Sequence, residues 1–193
     1  MEKSIELIKN HFRQGAELRE IVSRQLSESI LQAALVLSDC VENGGKLLIC
    51  GNGGSAADAQ HFAAEFVGRL YRNRPALPAI ALSTDTSILT AVANDFSIDQ
   101  VFRRQVEALG QPGDTLVSIS TSGNSKNVIE AVLAAKEKKM RTIALLGKSG
   151  GELLNLDDYS IVVPSSSSQL IQEIHISIIH MWCELIENII YPV

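Results

Sequence analysis

Apolar positions fall into two rhythms along this chain. From Ser4 to Leu37 they recur at helical spacing, as Ile5, Leu7, Ile8, Phe12, Leu18, Ile21, Val22, Leu26, Ile30, Leu31, Ala34 and Leu35. A return every three to four residues keeps one face of a helix apolar. The pattern predicts two helices, interrupted near Gly15 or around Ser27, and Gly44 and Gly45 close it. Residues 1–43 are therefore expected to form a helical part that takes part in oligomerisation. Beyond Gly45, short continuous apolar runs alternate with amphipathic stretches. Lys46–Cys50, Ala79–Leu82, Thr115–Ile119, Thr142–Leu146 and Ser160–Val163 read as strands. Ala56–Leu70, Leu89–Ala93, Gln100–Leu109, Ser125–Lys138 and Leu170–Ile190 read as helices. Buried strands separated by helices predict an α/β fold with a parallel sheet covered on both faces.

Composition narrows the class. The chain has 193 residues, of which 46% are hydrophobic, enough for one core and too short for two ordinary domains. A single domain over 1–193 is expected. The 20% of charged residues exclude a disordered chain. A net charge of −5 offers no broad basic surface, so no nucleic-acid partner is expected. A small anion remains possible, because helix N-termini bind phosphate locally. Cys40, Cys50 and Cys183 lack C-x-x-C spacing and read as buried small hydrophobes in a reducing compartment. No apolar run approaches bilayer length and the first residues carry no leader-like core, so no membrane partner and a cytoplasmic location are expected.

Two loops could hold phosphate. The first strand runs into Gly51-Asn52-Gly53-Gly54-Ser55 before a helix begins. Glycines allow close backbone approach, and the new helix offers unpaired N–H groups. A dinucleotide fingerprint would need an acidic residue about 20 positions on; the segment around Arg69–Arg74 holds none. A tight strand-to-helix turn explains the glycines equally well. The third strand runs into Ser120-Thr121-Ser122-Gly123-Asn124-Ser125. Helix capping by Ser122 or Ser125 would need one hydroxyl, and four stand here. Without a P-loop lysine, such a loop suits a phosphate monoester that is held and not transferred.

The chemistry-bearing side chains lie on two helices. His61 and Glu65 are four apart, on one face of an Ala-rich helix. They are either a satisfied hydrogen-bonded pair or a metal-ligand or acid–base pair. Gln172 and His180, on the last helix, are eight apart, about 12 Å along the axis. Both can reach one ion only by leaning inward or by coming from different subunits. His175 lies on another face and reads as a surface or interface histidine.

Taken together, GNGGSAADAQHFAAEF, RPALPAIAL, AVANDF, SISTSGNSKNV and IQEIHISIIH resemble the sugar isomerase (SIS domain) family, in its phosphoheptose isomerase branch. The resemblance implies a flavodoxin-like three-layer sandwich with a five-stranded parallel sheet and a long C-terminal helix. It further implies a homotetramer with active sites between subunits. It implies one zinc ion per subunit, with His61, Glu65, Gln172 and His180 as the matching ligands. It implies substrate contacts at Asn52, Gly53, Gly54, Ser55, Glu65, Asn94, Asp95, Ser120, Thr121, Ser122, Ser125 and Gln172. Arg69 is a further candidate for substrate charge. Glu65 and His180 are the implied catalytic pair. They would move a carbonyl between C2 and C1 of sedoheptulose 7-phosphate through an enediol, giving a glycero-manno-heptose 7-phosphate. Gln169 stands where some members are acidic, and Ala56-Ala57 where some carry His-Cys. The sequence also resembles a non-catalytic SIS-domain tetramer that binds the bacterial replication initiator. In that class the glutamate four after the helix histidine is lost and the second serine of the loop is an arginine. Glu65 and Ser122 favour the enzyme.

Overall fold

Five short apolar segments pair as parallel strands in the order β2-β1-β3-β4-β5. The strands are β1 (Leu47–Gly51), β2 (Ala79–Ala81), β3 (Thr115–Ser120), β4 (Arg141–Gly147) and β5 (Tyr159–Val163). The helices are α1 (Glu2–Glu42), α2 (Gly54–Val67), α3 (Thr86–Asp95), α4 (Arg103–Leu109), α5 (Lys126–Glu137) and α6 (Ser168–Ile190), with 3-10 turns at Ile98–Gln100 and Glu152–Asn155. This computed structural model describes residues 1–192. The strand order is that of flavodoxin-like folds, in which ligands bind beyond the carboxyl ends of the strands where the order reverses. Here that point lies between β1 and β3, the two strands that lead into the glycine and serine loops.

Alternation along each strand divides the core. Leu47, Ile49, Val117, Ile119, Ile143 and Leu145 face α1, α2 and α6 on one side of the sheet. Leu48, Cys50, Leu116, Ala144 and Leu146 face α4 and α5 on the other. All three cysteines are free and buried, and burial pushes the Cys50 and Cys183 thiols up, as expected of small core hydrophobes.

Two expectations are corrected. Residues 2–42 form one helix, not two. A mid-helix glycine costs only about 1 kcal/mol. Burial of Leu18, Val22, Ala33, Ala34 and Leu37 against the body outweighs that cost at Gly15. Ser27 is accommodated within the helix, its hydroxyl donating back to Ser23 O at 2.5 Å. His175 is not a surface histidine. It is fully buried, its Nε2–H donates to Leu146 O at 2.9 Å, and burial lowers its pKa to about 4. The bond ties α6 to the end of β4.

The first turns of α1 leave Ile5, Leu7, Ile8 and Phe12 exposed. A groove of about 580 Å³, lined by Val22, Ile30, Ile174, Ile178, Met181 and Leu185 among others, lies between α1 and α6, away from the loops. Among the described residues no helix is long and apolar enough to cross a membrane.

Candidate active site

The serine loop closes on itself through its hydroxyls. Ser120 Oγ lies 3.2 Å from Ser125 Oγ and accepts from Gly123 N at 3.1 Å. Ser122 Oγ accepts from Asn124 N at 3.2 Å. Ser125 occupies the N-cap position of α5, but its side chain makes no cap bond. Its hydroxyl is therefore turned toward Ser120 and not spent on the helix, which favours the anion-binding reading over simple capping. Gly123 has φ +67°, and a Cβ there would overlap Gly150 O, so only glycine lets this loop pack against the loop after β4.

The glycine loop is tied to the first turn of α5, directly after the serine loop. Asn52 Nδ2 donates to Asn127 Oδ1 at 2.8 Å, and Asn127 Nδ2 returns a bond to Asn52 Oδ1 at 2.9 Å. Gln172, from α6, lies over the first turn of α2, where a Cβ on Gly54 would overlap its carboxamide. Ser55 is buried in that same turn. Asn52, Gly53, Gly54, Ser55, Ser120, Thr121, Ser122, Ser125 and Gln172 thus belong to one neighbourhood at the carboxyl edge of β1 and β3.

The second cluster sits further along α2. His61 Nε2 lies 3.2 Å from Glu65 Oε1 and 3.0 Å from His180 Nε2. The His61 and His180 rings are tilted, with centroids 5.0 Å apart. His61 is exposed, while Glu65 and His180 are half-buried. Asp58, one turn before His61, has a buried Oδ2 without a partner; burial pushes its carboxyl up to about 6, opposed by His61.

This cluster fits a metal by donor type. Two imidazoles and a carboxylate are a zinc donor set that leaves a position open. Neighbouring ligands of a tetrahedral zinc with bonds of about 2.0–2.1 Å stand roughly 3.3 Å apart, close to the observed separations. Among the described residues, however, no group of three or more His, Cys, Asp or Glu is arranged to hold a metal ion. His61 is a hub between its two partners, not one corner of a closed site. Gln172 does not join them within one chain, since it lies at Gly54, two turns of α2 before His61. Asn94 and Asp95 are also apart. They end α3, just past the helix expected over Leu89–Ala93; they are exposed, and Asn94 Nδ2 donates to Asp95 Oδ1 at 2.8 Å. Arg69 is exposed, beyond the end of α2.

Sequence reasoning missed the supports of the site. Asn127 is a helix residue with no local signature, and only its contact across 75 positions reveals it. Arg74 and Glu187 form a buried ion pair 113 positions apart, with both side chains 2% exposed. An arginine and a glutamate in these contexts read as surface residues.

Comparison with known proteins identifies the family and the fold. The SIS domain family model matches residues 10–147. A phosphoheptose isomerase of Geobacter sulfurreducens is 53% identical over 188 residues, covering 97% of this chain and 100% of that protein. The structure of a phosphoheptose isomerase from Neisseria gonorrhoeae superposes with a TM-score of 0.91 at 48% identity, over 95% of this chain and 98% of the other. One from Francisella tularensis gives 0.93 at 41% identity, over 96% and 98%.

Proposed function

Because this chain belongs to the SIS domain family, in its phosphoheptose isomerase branch, we propose that it interconverts sedoheptulose 7-phosphate and a glycero-manno-heptose 7-phosphate through an enediol. Membership makes it a sugar-phosphate isomerase of heptose biosynthesis. The observation that carries the finer reading is the meeting of Glu65, His61 and His180 on the same helix pair that borders the hydroxyl loop.

The two clusters suit a long substrate. His61 follows Gly54 by seven residues, roughly 10 Å along α2. A heptose 7-phosphate carries its phosphate at one end and its reacting C1 and C2 at the other. Ser120, Thr121, Ser122 and Ser125 hold the phosphate, and the Asn52–Gly54 backbone with Gln172 lines the approach. Glu65 and His180 are the acid–base pair. One group takes a proton from C1 and returns it to C2, while the other passes a proton between O2 and O1. His61 orients both by touching both. Within one chain His61, Glu65 and His180 form no closed metal site; they are the donors that would be offered to a zinc ion completed by another ligand. When bound, it would polarise the carbonyl and stabilise the enediolate oxygen. Gln172 could complete such a site only from another copy of the chain, which accords with a homotetramer, while Asn94 and Asp95 are read as contacts to the sugar.

Turnover of purified protein with sedoheptulose 7-phosphate, with and without zinc, tests the reading. Aldose heptose 7-phosphate should appear. A folded protein inactive in both conditions would point instead to the non-catalytic interaction platform.

A further inference from the structure

We infer that Arg74 and Glu187 are positioning residues whose buried ion pair holds the end of α2 against α6, so that His61, paired with Glu65 on α2, meets His180. Neither belongs to the implied site set, and both side chains are almost wholly shielded from water. Their bonding is complete on both sides. Arg74 Nε donates to Glu187 Oε1 at 3.0 Å, Nη2 to Glu65 O at 2.8 Å, and Nη1 to Phe66 O at 2.9 Å and Pro75 O at 3.0 Å. Glu187 also accepts the backbone N–H groups of Leu70, Tyr71 and Arg72 at 3.1, 3.2 and 3.0 Å.

Placement gives this pair its role. The guanidinium caps the last carbonyls of α2, including that of Glu65 itself, where a cation is favoured by the helix dipole. Glu187 follows His180 by seven residues, two turns on nearly the same stripe of α6. The clamp and the His61–His180 contact thus join the same two stretches of chain, the end of α2 and α6. With one end of α2 seated under Gln172 and the other clamped by Arg74, the helix has no freedom to slide past His180. A buried ion pair of this kind adds little net stability, since desolvation offsets most of the attraction. What it supplies is a fixed geometry, because a planar fork accepts few orientations.

The inference rests on the proposed isomerase reading for its rate effect, and its structural half can be tested apart. Arg74→Lys keeps the charge and loses the fork. Its kcat should fall by up to about 10²-fold, the scale of a misplaced catalytic group. KM should stay within about twofold, because the phosphate loop is untouched. Arg74→Met with Glu187→Gln removes both charges and keeps an acceptor for the loop N–H groups. It should retain a thermal midpoint near that of wild type and still show the low kcat. Recovery of kcat together with the midpoint would reduce the pair to a stability element and overturn the inference. A nuclear Overhauser contact between the His61 and His180 ring protons is expected in wild type, from ring centroids 5.0 Å apart, and should vanish in Arg74→Lys. Its persistence would overturn the inference whatever the activity. An inactive wild type would sink the isomerase reading alone, and the Overhauser contact would still decide the clamp.

Discussion

At Glu65, a carboxylate in hydrogen-bond reach of one imidazole and at one remove from another can take a proton, hold it and give it back. Glu65→Gln preserves shape and removes that capacity. Turnover should fall by at least about 10²-fold, the contribution typical of a general base, with circular dichroism and thermal midpoint unchanged. Near-normal turnover would remove Glu65 from the chemistry. Ser125 separates two roles within one residue. If its hydroxyl serves phosphate, Ser125→Ala should raise KM roughly 10-fold or more, the value of a hydrogen bond to a charged group. Stability should hardly change, because no cap bond is lost. A capping role would show the reverse, a loss of about 1 kcal/mol in denaturant unfolding with KM unmoved.

Faces build the core, and loops build the site. The loop after β1 is held to the first turn of α5, which follows the serine loop, by the Asn52–Asn127 amide pair. The serine loop rests on the loop after β4 through Gly123 and Gly150. Gly123→Ala combines a left-handed backbone with an overlap on a carbonyl oxygen, and should cost about 2–4 kcal/mol in urea unfolding. A loss under about 0.5 kcal/mol would mean that the two loops slide apart at little cost. The helix periodicity of α2, α5 and α6 and the apolar runs of all five strands were legible in the sequence to within a few residues. The unity of α1 was not. Gly15 and Ser27 are local interruptions, and only packing against α6 shows that they are overridden.

For the whole molecule, two titrating groups, one buried and one half-buried, pull stability in opposite directions. His175 has a folded pKa of about 4 against an ordinary 6.5. Between those values the unfolded chain takes up a proton that the folded chain refuses, so this residue makes stability fall as pH falls. Asp157, beneath Ser118 with Oδ1 unpartnered, is pushed up by burial to about 7 from 3.8. Across that range the folded chain keeps a proton that the unfolded chain has released, so this residue makes stability fall as pH rises. Each slope is at most about 1.4 kcal/mol per pH unit, and the two oppose between pH 4 and 6.5. His175→Gln should therefore gain stability relative to wild type as pH drops from 6.5 to 4.5, and Asp157→Asn as pH rises from 4.5 to 6.5. Urea midpoints at the two pH values read both differences. Variants that run parallel to wild type would show that neither group carries the assigned slope.

By itself the sequence determined the parts. Periods of two and of three to four residues are properties of neighbouring positions, so strands, helices and the loops between them follow from local pattern. The same holds for His61 beside Glu65, which one helix turn brings together. Contacts between distant positions were decided only by the tertiary structure. It set His180 against His61 across 119 residues and carried Gln172 to Gly54 instead. It buried His175 under Leu146 and paired Arg74 with Glu187. Each depends on the order of strands in the sheet and on the crossing of α2, α1 and α6. No run of adjacent residues encodes that crossing, because the whole core settles it at once.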